Sequence, residues 1–324
     1  MSDYPNPLIE QRADPHIYLH SDGTYYFIAS VPEYDRLEIR HSQTLIGLAD
    51  APSTVIWRKP DSGPMSALIW APELHRIDDQ WVIYYAAAPS QQIVEGLFQH
   101  RMYALVCDGQ DPLSDVWQEK GKILTPIDSF SLDATYFQHQ GKHYYLWAQK
   151  DPEIEGNSNL YLSELTNPWT LKTRPVMLSK PEFSWETKGF SVNEGPAFIA
   201  HGDRVFITYS ASATDENYCI GLLYADKESN LLDPASWQKL TKPLFTTHRL
   251  NQQFGPGHNS FTRNEQGEDV LVYHARSDST IEGDPLYDPN RHTRIKKFTW
   301  NAENMPVFGE PAADNQPLMS HSAE

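Results

Sequence analysis

Four acidic residues and one histidine recur at nearly equal intervals along the chain, and each begins a short β-rich segment. They are Asp14, Glu73, Asp133, Glu194 and His258, separated by 59, 60, 61 and 64 residues. Two carboxyl groups on either side of a glycosidic bond can hydrolyse it, because one protonates the leaving oxygen while the other activates water or attacks the sugar. A surface carboxylate beside a turn is the simpler interpretation of any single acid. The recurrence of acids at equal intervals is therefore what favours a catalytic role for them.

The segments that follow these residues have the pattern of β-hairpins. After Glu194, the apolar runs 197–199 and 205–209 flank a polar turn at 201–203, which is typical of two paired strands. A third alternating segment follows each hairpin, and a tryptophan marks a fourth segment in the first four units. We interpret these tryptophans as core residues between neighbouring units; they are Trp57, Trp117, Trp169 and Trp237.

Five units of four strands predict an all-β fold, a five-bladed β-propeller with four antiparallel strands per blade, in one domain over residues 1–324. The innermost strand of each blade lines the propeller axis, so the five repeated residues should converge at one mouth of the channel. Carboxylates that converge in this way repel one another unless they are paired with a cation, protonated or engaged with a ligand. Their convergence therefore indicates a functional site.

Electrostatics should separate the roles of the acids. Burial raises the pKa of one carboxyl, and a cation such as Arg276, just after the fifth hairpin, lowers that of another. Acids on opposite sides of the axis predict a separation of roughly 6.5–9.5 Å, as in inverting glycosidases.

The composition limits the partners. Asp and Glu outnumber Lys and Arg by 43 to 26, for a net charge of −17, which argues against nucleic acid or an anionic membrane as partner and is compatible with an uncharged sugar. Cys107 and Cys219 are expected to be buried free thiols. The N-terminus has no signal-peptide pattern, so we expect a cytoplasmic protein, or a secreted one if a leader was trimmed. The sequence does not indicate an oligomeric state.

Five short motifs together resemble glycoside hydrolase family 43, over nearly the whole chain. They are Ala13-Asp14-Pro15, Trp70-Ala71-Pro72-Glu73, Ser131-Leu132-Asp133-Ala134, Asn193-Glu194-Gly195-Pro196 and Gly255-Pro256-Gly257-His258-Asn259-Ser260. Within that family the chain is similar to the α-L-arabinofuranosidase branch, which implies an exo-acting enzyme with an arabinose-containing oligo- or polysaccharide as its substrate.

The resemblance implies an inverting mechanism with a defined role for each acid. Asp14 matches the general base, Glu194 the general acid, and Asp133 the carboxylate that tunes the pKa of the acid and orients the sugar. Arg276 matches an arginine beside the base. His258 matches a residue that helps hold a calcium ion or a water on the axis, and no other cofactor is expected.

Several residues keep two interpretations. Glu73 is read as structural or as an orienting carboxylate, and Trp70 as a wall of the sugar pocket or as packing beneath it. The segment 284–294 is predicted to be an ordered loop pinned by Asp–Arg pairs, and 31–36 to lie at the rim of the pocket. The rival functions are a family 43 β-xylosidase or endo-arabinanase, and a non-catalytic sugar-binding or protein-interaction propeller.

Overall fold

The protein is described by a computed structural model that covers residues 4–113 and 116–314. The remaining parts of the predicted domain, 1–3, 114–115 and 315–324, lie outside the described residues, as does most of the N-terminal segment considered for a signal peptide. In the described part, no helix has the length and apolar character needed to cross a membrane.

Five antiparallel sheets form the five blades of the propeller, which confirms the predicted fold. The first blade consists of β1 (Ala13–Leu19), β2 (Tyr25–Ser30), β3 (Arg36–Ser42) and β4 (Thr54–Arg58). The second consists of β5 (Ala67–Ile77), β6 (Gln80–Ala88), β9 (Arg101–Cys107) and β10 (Gln118–Lys122), with a small hairpin of β7 (Ile93–Val94) and β8 (Leu97–Phe98) between β6 and β9.

The third and fourth blades follow the same order from the axis outward. The third consists of β11 (Ser131–His139), β12 (Lys142–Gln149), β13 (Asn159–Asn167), β14 (Thr170–Leu171) and β15 (Val176–Ser179), the last two both paired with β13. The fourth consists of β16 (Asn193–His201), β17 (Arg204–Ala211), β18 (Cys219–Asp226) and β19 (Gln238–Lys239). Three short 3-10 helices lie in connections, at Ile46–Leu48, Pro234–Ser236 and Arg249–Asn251.

The fifth blade is completed by the other end of the chain. Its strands are β20 (Phe254–Arg263), β21 (Asp269–Arg276) and β22 (His292–Lys297), followed by the separate hairpin of β23 (Thr299–Trp300) and β24 (Pro306–Val307). The N–H of Leu8 donates to the carbonyl of Thr293 at 2.8 Å, and the N–H of Thr293 donates to the carbonyl of Ile9 at 2.9 Å. The N-terminal segment thus takes the outer position in the last blade and closes the ring.

The core lies between neighbouring blades, because each sheet is covered on both faces. For this reason β6 is buried along nearly its whole length rather than alternating with polar residues. Of the tryptophans predicted to be core residues between blades, Trp237 is buried, whereas Trp57, Trp117 and Trp169 are only partly buried. Trp57 of the first blade contacts Tyr85 of the second, with ring centroids 5.1 Å apart. Cys107 and Cys219 are both buried, and neither forms a disulfide in the described part of the chain, as expected.

Candidate active site

A left-handed residue and a β-bulge interrupt the innermost strand of every blade. At the equivalent position of each blade the residue with positive φ is Asp14 (54°), Ala71 (44°), Asp133 (55°), Gly195 (52°) or His258 (43°), and the strand register shifts at each of them. β5 and β20 each contain one more such residue, Leu68 (53°) and Gly255 (59°). A bulge turns a side chain out of the regular alternation of a strand. An equivalent β-bulge in each of the five blades therefore directs side chains toward the axis.

This equivalence corrects the alignment derived from the sequence. In the second blade the residue that corresponds to Asp14 is Ala71, and in the fourth it is Gly195, so Glu194 and Trp70 both lie one residue before the bulge. Glu73 lies two residues beyond it and does not line the pocket. Glycine suits position 195 because a Cβ there would come within 3.1 Å of the His258 ring, in a backbone conformation with positive φ that side chains rarely adopt.

The bulges open onto a pocket of about 180 Å³ on the propeller axis. Asp14, Asp133, Glu194, His258 and Trp70 all line it, so the structure brings together five of the six residues singled out from the sequence. Every blade contributes to the wall. Much of the apolar wall comes from the second, third and fourth blades, with Leu286 of the fifth beside it; besides Trp70, these apolar residues are Ile93, Leu97, Phe98, Phe130, Leu132, Phe190, Val192 and Leu286.

Asp14 is placed to remain ionised. Its carboxylate accepts a hydrogen bond of 2.6 Å from the Ser30 hydroxyl and lies 3.7 Å from the guanidinium of Arg291. Burial alone would raise the pKa of Asp14, but His258, Arg291, His274 and Ser30 together lower it to about 2. An ionised carboxylate at neutral pH can accept a proton from water.

Glu194 has the opposite electrostatic environment. Burial and the nearby charge of Asp14 raise its pKa to about 7, although the Tyr218 hydroxyl, which donates to it at 2.8 Å, and Arg291 act in the other direction. Burial also raises the pKa of Tyr218 well above its usual value, so this hydroxyl stays protonated and remains a donor. Glu194 can therefore carry a proton at the pH at which Asp14 is charged.

Asp133 lies between these two groups. Burial, followed by the charges of Glu194 and Asp14, raises its pKa well above the usual value. The N–H of Gly195 donates to Asp133 Oδ2 at 3.0 Å and fixes the carboxyl in place. Asp133 and Glu194 thus compete for protons in one enclosed space, and their titrations belong to the pair.

Two buried histidines support Asp14. The His258 Nδ1 lies 3.3 Å from Asp14 and 3.7 Å from Asp133, and burial lowers the pKa of His258. His274 accepts the backbone N–H of Asp14 at its Nδ1, at 3.1 Å, which requires that nitrogen to be unprotonated. Arg291 is therefore the cation near Asp14 whose positive charge does not depend on the protonation of an imidazole.

The cation beside Asp14 is therefore Arg291 and not Arg276. The Arg276 guanidinium forms an ion pair of 2.9 Å with Asp288 and donates to the carbonyl of Pro285, and it does not line the pocket. Arg276 ends β21 and holds the loop that precedes β22. This loop comprises residues 284–291, and the last three residues of the predicted 284–294 loop begin β22 instead. As predicted, an Asp–Arg pair pins that loop, and the loop in turn delivers Arg291 to the site.

The predicted rim segment 31–36 also reaches the pocket, through Tyr34. Arg291 donates to the Tyr34 hydroxyl at 2.8 Å, and that hydroxyl donates to the carbonyl of Leu286. Trp70 lines the wall, stacked on His100 with ring centroids 3.8 Å apart. Tyr218 and Ser30 had no signal in the sequence, since neither lies in a blade-heading motif.

His258 was expected to help hold an ion or a water on the axis, and its neighbours there include Asp14 and Asp133. Its Nδ1 faces two carboxylates that accept hydrogen bonds from Ser30 and from the Gly195 N–H. In the described part of the chain, His258 does not belong to any group of three metal-ligating side chains within 4.8 Å of one another. The expected calcium ion or water on the axis remains an untested prediction.

The chain is similar in sequence and structure to proteins that are named arabinofuranosidases. The chain is 59% identical to an alpha-L-arabinofuranosidase from Lactobacillus brevis of known crystal structure, with a TM-score of 0.96 over 97% of this chain and 98% of that one. It is 52% identical over 312 residues to the extracellular exo-alpha-(1->5)-L-arabinofuranosidase of Streptomyces avermitilis, covering 96% of this chain and 64% of that protein.

A protein of the same name from Streptomyces chartreusis is 50% identical over 283 residues, 87% of this chain and 85% of its own length. The chain thus spans somewhat less than two thirds of the Streptomyces avermitilis relative and of a similar Humicola insolens protein. The sequence profile of glycosyl hydrolases family 43 matches residues 4–306. With the profile, these relatives and the propeller in agreement, the chain belongs to glycosyl hydrolases family 43.

Proposed function

We propose that the protein is an inverting, exo-acting α-L-arabinofuranosidase that releases terminal L-arabinofuranose from arabinan and arabino-oligosaccharides. The observation that carries this proposal is the pair of carboxyls in one pocket with opposite pKa shifts, lowered to about 2 for Asp14 and raised to about 7 for Glu194. This pair can supply a base and an acid at the same pH.

In the proposed reaction, a water molecule attacks the anomeric carbon and loses a proton to Asp14. Glu194 gives its proton to the glycosidic oxygen as the bond to the departing sugar breaks. The transition state resembles an oxocarbenium ion, and the product has the opposite anomeric configuration. Asp133 orients the sugar and competes with Glu194 for the proton. Afterwards Asp14 releases its proton and Glu194 regains one from solvent.

The shape of the site favours removal of a terminal residue. All five blades contribute to the wall around the axis, and the acids lie together within this enclosure. A chain of sugars passing through would need an open groove, so an endo-arabinanase is less compatible with the pocket. The names of the relatives at 50–59% identity favour arabinofuranose over xylose. Those names also favour an extracellular location over the cytoplasmic one expected from the sequence.

Product analysis tests the proposal. Linear and branched arabinan and an α-1,5-linked arabino-oligosaccharide series are incubated with the protein, and the products are separated while NMR follows the anomeric signals. We expect monomeric L-arabinose from the first time points, formed as the inverted anomer. Longer oligosaccharides as early products would indicate an endo-arabinanase, release of xylose from xylo-oligosaccharides a β-xylosidase, and no product a sugar-binding propeller. Retention of configuration would contradict the assignment of Asp14 as base.

A further inference from the structure

Beneath the catalytic pocket, two histidines and a glutamate meet in a buried cluster that the proposed reaction does not use. His16 lies on β1 of the first blade, and Glu73 and His75 lie on β5 of the second. All three residues are buried, with 6–8% of their surface exposed. One ligand atom from each lies within 4.8 Å of the others.

The geometry directs both imidazoles at the same oxygen. The Nε2 atoms of His75 and His16 lie 2.9 Å and 3.7 Å from Oε2 of Glu73, and the two rings have centroids 4.9 Å apart. Two ligand atoms of a tetrahedral zinc ion with bonds of about 2.0–2.1 Å are about 3.3 Å apart. The observed spacings lie on either side of that value, so a small shift of the side chains would admit an ion.

The hydrogen bonding of the cluster is incomplete. His16 Nδ1 is buried and has no hydrogen-bond partner among the described residues, and its Nε2 is too far from Glu73 for a normal hydrogen bond.

We propose that His16, Glu73 and His75 form a binding site for one divalent transition-metal ion, with zinc as the best match. Two imidazole nitrogens and one carboxylate oxygen suit zinc and its neighbours in the first transition row, whereas calcium takes oxygen ligands. The ion replaces the hydrogen bond between His75 and Glu73 and links the innermost strands of two adjacent blades. Its role is structural, and it does not depend on the activity proposed above.

Metal titration of the whole protein tests the site. After treatment with a chelator and dialysis, the protein is titrated with Zn²⁺ by calorimetry and with Co²⁺ by visible absorption. We expect one equivalent of Zn²⁺ to bind and Co²⁺ to give an absorption band typical of low coordination number. The melting temperature should rise by about 4 °C when the free Zn²⁺ concentration is one hundred times Kd. Absence of stoichiometric binding to the folded wild-type protein would overturn the proposal without any variant.

Variants locate the ion. His16→Gln and His75→Gln place an amide near each Nε2, and Glu73→Gln removes the charge with little change of shape; each should weaken Zn²⁺ binding at least about 10-fold. His41→Gln, at an exposed histidine on β3, is the matched control and should bind normally. Asp14→Asn should also retain binding, since the active-site carboxylates are not ligands. If Asp14→Asn abolishes binding, or if the Gln variants bind like the wild type, the ion lies elsewhere and the proposal is wrong.

Discussion

Replacing Tyr218 by Phe should move the alkaline limb of the pH–rate profile to higher pH. The Tyr218 hydroxyl donates to Glu194 at 2.8 Å, and this hydrogen bond favours the ionised carboxylate and lowers its pKa. Phenylalanine keeps the ring, which is stacked on His274 with an interplanar angle of 2°, and removes only the donor. The change therefore isolates one contribution to the pKa of the general acid.

The size of the shift follows from the strength of the bond. A hydrogen bond to a charged group contributes about 1.5–3 kcal/mol, and one pKa unit corresponds to about 1.4 kcal/mol. Without the hydroxyl, the pKa of Glu194 should rise from about 7 by about one to two units. Glu194 would then stay protonated at higher pH, so the alkaline fall in activity should occur at a higher pH than in the wild-type enzyme.

The assay is kcat/KM against pH for an arabino-oligosaccharide, because this quantity reports the free enzyme and this leaving group needs the acid. Tyr161→Phe is the matched control, since it removes a 2.8 Å hydrogen bond from a tyrosine to Asp151 away from the pocket. It should leave the profile unchanged. An alkaline limb in Tyr218→Phe that stays in place or moves to lower pH would refute the assignment of Glu194 as the titrating acid.

Four further predictions test the site. Glu194→Ala should slow arabino-oligosaccharides far more than aryl arabinofuranosides with good leaving groups, and equal losses in kcat/KM would count against an acid role. Arg291→Met should raise the pKa of Asp14 by about one to three units and move the acid limb of kcat/KM to higher pH; an unchanged limb would contradict the pairing. Ser30→Ala leaves Asp14 and the Ala71 N–H without their partner and should cost about 1–3 kcal/mol in urea unfolding, whereas an unaltered midpoint would exclude that role. The folded pKa of Glu194, raised from 4.5 to about 7, gives a contribution to stability that is full below pH 4.5 and is lost as pH rises through 7. Glu194→Gln should remove this dependence, about 3 kcal/mol between pH 4.5 and 7.5, and an identical slope of unfolding free energy against pH in the variant would argue against the raised pKa.

The sequence predicted the propeller because its signal is periodic and local. Hairpins recur along the whole chain, and a ring of blades is the arrangement in which each repeat buries its faces against the next. Convergence of Asp14, Asp133 and Glu194 followed from the topology alone, since the innermost strands must share one axis. The sequence could also place Trp57 between blades, because that position depends only on the order of strands.

What the sequence left open depends on contacts between distant segments. Arg276 and Arg291 both lie near the end of the last blade, and only the folding of the 284–291 loop determines that Asp288 binds the first and leaves the second for Asp14. The bulges also decide the register of the innermost strands: equivalent left-handed residues align Ala71 with Asp14, and Glu73 then lies outside the pocket lining, next to His16. A local pattern fixes which strands form, but side-chain direction and pKa arise from neighbours brought together across the ring. Those neighbours exist only in the tertiary structure.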